Sequence, residues 1–269
     1  MAQSRTTDPP FKSVRYLPTN EAYDRWAEVY DSDGNFLQAL DDRELKTLFP
    51  RFMTLIQSPK PWRVVDLGCG TGRNTALLLG IPECEIIALD SSKGMLDVAK
   101  NRLSSNADLV TESQPRLRFD IFDMVATSSS PASVAPQTAD AVISTLVIEH
   151  IPLPVFFAHV AQLLRPGGVL LLTNMHSEMG GISQAGFVDT ATGEKIRPTS
   201  YAHTVEEVLL EARKHGLEVE IDEEETGIRE TAVTEDMVGR LGLRSGKWVG
   251  IRCWFGGVFR KVATDTQIN

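Results

Sequence analysis

The residues best suited to chemistry lie in one run, Asp66-Leu67-Gly68-Cys69-Gly70-Thr71-Gly72. Glycines adopt backbone conformations that other residues avoid, and they let a chain pass close to a ligand. The dinucleotide fingerprint spaces its glycines as G-x-G-x-x-G. Here Gly68 and Gly70 fit, but Arg73 stands where the third glycine belongs. A carboxylate just before the loop would sit badly beside a pyrophosphate and suits a cationic ligand instead. Cys69 reads as a small loop filler. The other cysteines, Cys84 and Cys253, form no C-x-x-C pair and have no His-adjacent spacing, so neither a disulfide framework nor a metal site is expected. His150, His176 and His203 are the histidines to weigh as bases, with a structural role as the alternative for each.

The elements that must position these groups follow from periodicity. Trp62 to Leu67 is β-rich, and Thr71 to Leu79 reads as a helix. Glu85 to Asp90 is a second strand, Ser92 to Leu103 an amphipathic helix, and Arg116 to Asp123 a weaker third strand. Residues 124–139 are Ser/Ala/Pro-rich and read as a loop. Asp140 to Leu146 and Val169 to Asn174 are apolar strands on either side of a helix over Pro154 to Leu164. Apolar strands alternating with helices indicate a parallel sheet covered on both faces.

Outside this core, residues 1–19 read as a flexible arm. Tyr23, Trp26, Ala27 and Tyr30 make an aromatic helix face. A second helix spans about Leu37 to Ile56, with a break expected at Pro50. Residues 175–203 read as irregular and, being long, as functional. Thr204, with Glu207 three residues on, opens a helix to Lys214, and Gly216 ends it. Trp248 to Phe259 is a last β-rich segment, Asp222 to Glu225 a solvated acidic run, and residues from 262 a frayed end. The domain reading is an arm and helical lid over 1–58, one catalytic domain over 59–263 with an acceptor-site insertion at 175–203, and a tail at 264–269.

Composition narrows the function. With 269 residues and a formal net charge of −9, the chain lacks the basic footprint that phosphate backbones or anionic lipid surfaces require. No nucleic-acid or membrane partner is expected. The polar start of the chain has no apolar leader, and no run is long enough to span a bilayer, so a cytoplasmic protein is expected.

The ordered set of motifs resembles one family. Asp66 to Gly72 (DLGCGTG) is similar to motif I of the class I, seven-stranded S-adenosylmethionine-dependent methyltransferases. Asp90-Ser91-Ser92-Lys93-Gly94-Met95-Leu96 resembles the family's D-x-S-x-x-M-L, and Ser144 to His150 (STLVIEH) its stretch beside the methionine moiety. The E-H pair and the helix Tyr23 to Asp31 resemble the ubiquinone/menaquinone-biosynthesis-like, small-molecule branch. The resemblance implies an α/β fold: Rossmann-like, doubly wound, with a mostly parallel seven-stranded sheet, helices on both faces and an N-terminal helical lid. It implies S-adenosyl-L-methionine as cofactor and S-adenosyl-L-homocysteine as product. The residues implied to bind it are Tyr30, Asp66, Gly68, Cys69, Gly70, Gly72, Asp90, Ser91, Met95, Asp123, Met124, Thr145 and Leu146. Asp90 would accept from the ribose hydroxyls, Met95 would pack on adenine, and Asp123, preferred over Asp120, would accept from its amino group. The Met124 backbone would read a ring nitrogen.

The chemistry implied is in-line displacement of the methyl group by a small-molecule acceptor, a quinone precursor or secondary metabolite methylated at O, N, S or C. It requires alignment and exclusion of water. His150 and His176 are the candidate catalytic bases. The absence of an (N/D)PPY stretch after the fourth strand argues against amide and adenine acceptors. The alternatives are a protein methyltransferase, a non-catalytic cofactor-binding regulator, or a nicotinamide oxidoreductase. The acceptor and the oligomeric state are not legible.

Overall fold

The structure is a computed structural model that describes residues 13–104, 116–221 and 227–262. In chain order its elements are β1 (Val14–Tyr16), α1 (Thr19–Trp26), α2 (Phe36–Thr54), β2 (Trp62–Leu67), α3 (Arg73–Leu79), β3 (Cys84–Asp90) and α4 (Lys93–Leu103). There follow β4 (Leu117–Ile121), β5 (Ala139–Thr145), α5 (Leu153–Leu163), β6 (Leu164–Met175), α6 (Ser177–Ile182), β7 (Phe187–Val188) and β8 (Lys195–Arg197). The chain ends with α7 (Val205–Lys214), β9 (Leu217–Val219), β10 (Ile228–Ala232), α8 (Glu235–Leu241) and β11 (Arg252–Lys261). The expected acidic run at Asp222 to Glu225 and the tail from 264 lie outside the described residues.

The main sheet runs β10-β11-β6-β5-β2-β3-β4, and β9 also pairs with β11. The pairs from β4 to β6 are parallel, while β11 is antiparallel to β6 and to both β9 and β10. Leu217 opposes Lys261, Val219 opposes Phe259, and Ile228 opposes Gly257. β9 and β10 are therefore two pieces of one edge strand, and the sheet is seven strands wide. Strand order reverses between β2 and β5, which opens a crevice at their carboxyl ends.

Alternation along the strands feeds two cores. Val64, Ile86 and Ala141 face α2, α3 and α8, whereas Val65, Ile87 and Val142 face α5 and α7. Burial on both faces explains why β5 is buried throughout. The helix α2 starts at Asn35, whose side chain accepts from the Leu37 amide. It buries Phe36, Leu40, Leu48 and Phe52 in the sheet's own core. It therefore belongs to the sheet, and α1 alone lies over α4 and the crevice. The break expected at Pro50 does not occur. Pro50 and Lys46 are exposed, so water can serve the carbonyl that Pro50 leaves unbonded, while Leu48 and Phe52 anchor both sides.

Two further expectations are corrected by long-range pairing. Val14–Tyr16 is a strand, not an arm, and runs parallel to β8. The stretch 175–203, expected to be irregular, contains α6, β7 and β8, and its two strands form a small sheet with β1. Each strand is too short for periodicity to reveal. The last strand starts at Arg252, and Trp248 sits in a preceding 3-10 turn, with its ring against Phe36. No helix among the described residues is long and apolar enough to cross a membrane.

Candidate active site

The turn from β2 into α3 carries Gly68, Gly70 and Gly72 at φ +78°, +54° and +83°. These are left-handed conformations, which glycine adopts without the penalty of a Cβ. The amides of Gly68 and Cys69 donate to the Leu89 carbonyl, which pins the loop to the end of β3. A side chain on Gly68 would collide with Val147. Gly70 opens into free space. Gly72 does not face the crevice. A Cβ there would meet Ala99 and Leu103 at 3.1 Å, so this glycine serves helix packing instead of ligand binding.

A cleft of about 330 Å³ opens over this loop. Of the anticipated residues, Tyr30, Gly68, Cys69, Gly70, Asp90, Ser91, Met95, Asp123, Met124, Thr145, Leu146 and His150 line it. Asp120 does not. Asp90 sits on its floor, with one carboxylate oxygen accepting from the Gly70 amide and the other from the Ser92 amide, each at 2.8 Å. Burial pushes this carboxyl up to about 6, against the lowering effect of those two bonds. Asp123 forms a turn, accepting from the amides of Val125 and Ala126. Met95 and Phe122 supply apolar walls.

Asp66 is a correction. It does not line the cleft. It is 1% exposed and turned toward α3, where the Thr75 hydroxyl donates to it at 2.5 Å. Burial pushes its carboxyl up to about 7. It fastens the strand end to the helix beneath the loop and does not grip a ligand directly.

Arg73 and Asn74 line the cleft and were missed as ligand groups. Their signal was Arg73 at the third fingerprint position. Arg73 is ion-paired with Asp41 and Asp42. The Asn74 amide group donates to Thr145 Oγ1 at 2.6 Å, and its Oδ1 is buried without a partner. An unpaired buried acceptor calls for a donor from a ligand. Among the described residues Arg73 is the one Lys or Arg on the cleft wall, and its charge is matched by two aspartates. The wall therefore suits a cationic, phosphate-free nucleoside. Asp90, the unpartnered Asn74 Oδ1 and the apolar Met95 and Phe122 are the groups such a molecule would meet.

His150 is held on both sides. Its Nδ1 lies 2.6 Å from the Thr199 carbonyl, which can only accept, so Nδ1 carries the proton. Its Nε2 then accepts from the Tyr23 hydroxyl at 2.8 Å. Burial pushes this imidazole down to about 4, so it is neutral, and its basic nitrogen is taken by Tyr23. Thr199 and Tyr201 bring the 175–203 segment to the cleft wall.

His176 is the second correction. It lies on neither this cleft nor its neighbour. β6 carries it past the cleft to a surface groove, where it caps α6 through Nδ1 and donates from Nε2 to Glu230 at 2.8 Å.

A second chamber of about 140 Å³ adjoins the cleft and shares Tyr23, Tyr30 and Leu146 with it. Leu146 holds φ +56°, a strained conformation for a leucine. Glu149 lines this chamber, is 4% exposed, and keeps Oε2 without a partner. Burial, reinforced by the Asp41 charge, pushes its carboxyl up to about 7. The sequence named the neighbouring histidine as a base; the glutamate entered only as part of the E-H pair, with no role assigned to it.

Residues 65–172 match a family model described as a methyltransferase domain. An uncharacterized methyltransferase of Emericella nidulans is 48% identical over 259 residues, which is 90% of this chain and 91% of that protein. A trans-aconitate 2-methyltransferase of an Acidovorax species is 38% identical over 144 residues, 53% of this chain and 49% of that protein. An S-adenosylmethionine dependent methyltransferase from Mesorhizobium loti shares the fold, with a TM-score of 0.53 at 18% identity over 78% of this chain and 96% of that one.

Proposed function

The chain belongs to the class I S-adenosylmethionine-dependent methyltransferases, and from that premise we propose that it methylates a small-molecule acceptor, a quinone precursor or a secondary metabolite. The observation that carries this reading is the second chamber, which shares Tyr23, Tyr30 and Leu146 with the cofactor cleft. A volume of about 140 Å³ suits a small molecule better than a protein segment. The Acidovorax relative, named for a transfer to trans-aconitate, is consistent with such an acceptor over the half of the chain it matches.

When bound, the cofactor supplies an electrophilic methyl group on a positively charged sulfur. The work of the chain is to bind, orient and dry the site. Asp90 accepts from the ribose, and Asn74 from the ammonium. Asp123 stands at the adenine end. The helix α1 is latched over the cleft, because Asp24 Oδ1 accepts from the Ser92 hydroxyl at 2.7 Å and the Gly94 amide at 2.8 Å. Tyr23 and Tyr30 line both the cleft and the second chamber, and their aromatic faces would favour a cation there. The closure also excludes water, which an exposed methyl donor requires.

The test joins two measurements. Calorimetry with S-adenosylhomocysteine is expected to show one site per chain. Incubation with methyl-labelled cofactor and fractionated cell extract is expected to label a low-mass product, identified by mass. Label appearing only in protein would overturn the small-molecule reading, and cofactor binding without any labelled product would favour a regulator.

A further inference from the structure

Hydrogen-bond direction where the two cavities meet identifies the kind of atom that is methylated, given the methyltransferase reading above. Tyr23 lines both the cleft and the chamber. Its hydroxyl proton goes to His150 Nε2 at 2.8 Å, because the imidazole's own proton is on Nδ1, facing the Thr199 carbonyl. The Tyr23 oxygen is left with lone pairs and no proton to offer. Glu149 stands beside it: its Oε1 lies 3.9 Å from the same His150 Nε2. The residue is 4% exposed, lines the chamber, and holds Oε2 without a partner. An ionised carboxylate only accepts, and leaving it unmet costs the desolvation of the oxygen. Two acceptors, one on α1 and one on the 3-10 turn Ile148–His150, thus flank a single ring nitrogen.

Their complement is an O–H or N–H group. Carbon acids offer no such donor, and a thiol is a weak one. Lys195, Arg244 and Lys247 also line the chamber, and each has interactions of its own, so the choice rests on hydrogen-bond direction and not on net charge.

We propose that the methylated atom is an oxygen or nitrogen that carries a proton, that Glu149 Oε2 accepts from it and removes that proton, and that Tyr23 Oη accepts from a second O–H or N–H of the same molecule. A primary amine supplies both donors from one atom; an alcohol or phenol needs a second donor nearby. As the proton passes to Oε2, the lone pair of the oxygen or nitrogen forms the new bond to the methyl carbon. The methyl–sulfur bond breaks with its electron pair left on sulfur. The products are a methyl ether or an N-methyl amine, a neutral thioether, and a proton that Glu149 returns to solvent. Glu149 is then the catalytic base, Tyr23 positions the acceptor, and His150 sets the direction of the Tyr23 hydroxyl.

Methyl-labelled S-adenosylmethionine and fractionated cell extract supply the product whose bond type is read. A labelled methyl ether or N-methyl amine is expected, stable to mild base and assigned to oxygen or nitrogen by mass and magnetic resonance spectra. A thioether, a C-methyl product, or a methyl ester that mild base cleaves to labelled methanol would overturn the inference. The fraction that yields label then serves as acceptor for the variants at saturating cofactor. Glu149→Gln, close to isosteric, is expected to lower kcat/KM for the acceptor at least about hundredfold and to leave S-adenosylhomocysteine affinity within about twofold. Wild-type kcat/KM is expected to rise with pH and level off above about 7, the value to which burial raises the Glu149 carboxyl. Glu149→Gln should lose that limb, and Glu149→Asp, which keeps a carboxylate, should retain it. The other titratable groups around Glu149 are Asp41 on α2, Tyr23 and Tyr30 over the cleft, and His150 on its own turn, with Asp33, Lys195, Arg244 and Lys247 along the chamber. All of them remain in both variants, so the limb is that of Glu149. Tyr23→Phe is expected to raise the acceptor KM about fivefold, the scale of one neutral hydrogen bond, with the limb kept. An unchanged pH profile in Glu149→Gln, or a KM untouched by Tyr23→Phe, would overturn the assignment. S-adenosylhomocysteine affinity is measured first on the same samples. Its absence from the wild type would sink the methyltransferase reading, whereas cofactor binding with no label, or with label at sulfur, carbon or a carboxylate, would sink this assignment of the junction.

Discussion

Each oxygen of the Asp90 carboxylate accepts one backbone N–H and keeps a second lone pair for a ribose hydroxyl. Asp90→Asn replaces one acceptor oxygen by a donor facing the Gly70 or Ser92 amide. S-adenosylhomocysteine affinity should fall at least about tenfold, the scale of one lost charge-assisted hydrogen bond. Because this carboxyl sits near 6, wild-type affinity should also weaken as pH drops from 7 to 5, and Asp90→Asn should flatten that profile; calorimetry across pH reads both. The raised carboxyls of Asp66 and Glu149 make a separate prediction. A group that holds its proton more tightly folded than unfolded stabilises the fold most below its unfolded value, near 4. That stabilisation is lost as pH rises through the folded value, near 7 for both. The melting temperature of the cofactor-free protein should fall between pH 5 and 8. Asp66→Asn, which keeps an acceptor for Thr75, should reduce the slope.

At the scale of elements, the strand-to-helix turn is the least tolerant part of the site. Gly68→Ala forces a left-handed alanine and drives a methyl into Val147, so a loss of about 1–3 kcal/mol is expected in denaturant unfolding. Gly70→Ala meets nothing within 4 Å and should cost only its backbone strain, about 1–2 kcal/mol, while still crowding the cleft that it lines. The two glycines thus separate a packing role from a ligand role by comparing stability with cofactor affinity. The opposite case is α7. Thr204 and Glu207 form a complete capping box, as their spacing had announced. Thr204→Ala should cost about 1 kcal/mol without changing cofactor affinity, since neither residue reaches the cleft.

At the scale of the molecule, the site is assembled from distant parts: the glycine loop, α1, the 3-10 turn Ile148–His150 and the segment that carries Thr199. Asp24 ties α1 to the start of α4, and Gly94 permits the approach, since a Cβ there would meet the Asp24 backbone at 2.9 Å. Asp24→Ala removes both hydrogen bonds. Amide exchange in α1 should quicken and S-adenosylhomocysteine should dissociate faster, while unfolding of the sheet core stays unchanged, because α1 packs in a small cluster apart from the two main cores. Unaltered exchange and release in that variant would remove the lid from the account.

The sequence by itself determined what local patterning determines. The parallel strands, the glycine turn with Asp90 one strand away, and the cap of α7 are each set within a few residues, and such spacings announce themselves in a linear text. Pairings between segments far apart are not written locally. The three-residue strand Val14–Tyr16 exists only because β8 offers it an edge. Asp66 and His176 have the residue types and strand-end positions of ligand groups, yet Thr75 and Glu230 claim them. Glu149 became a reactive candidate only because tertiary burial stripped it of water and left one oxygen without a partner. Side-chain type is fixed by the chain; desolvation and partnership belong to the packed fold, and those two decide which carboxylates and imidazoles can act.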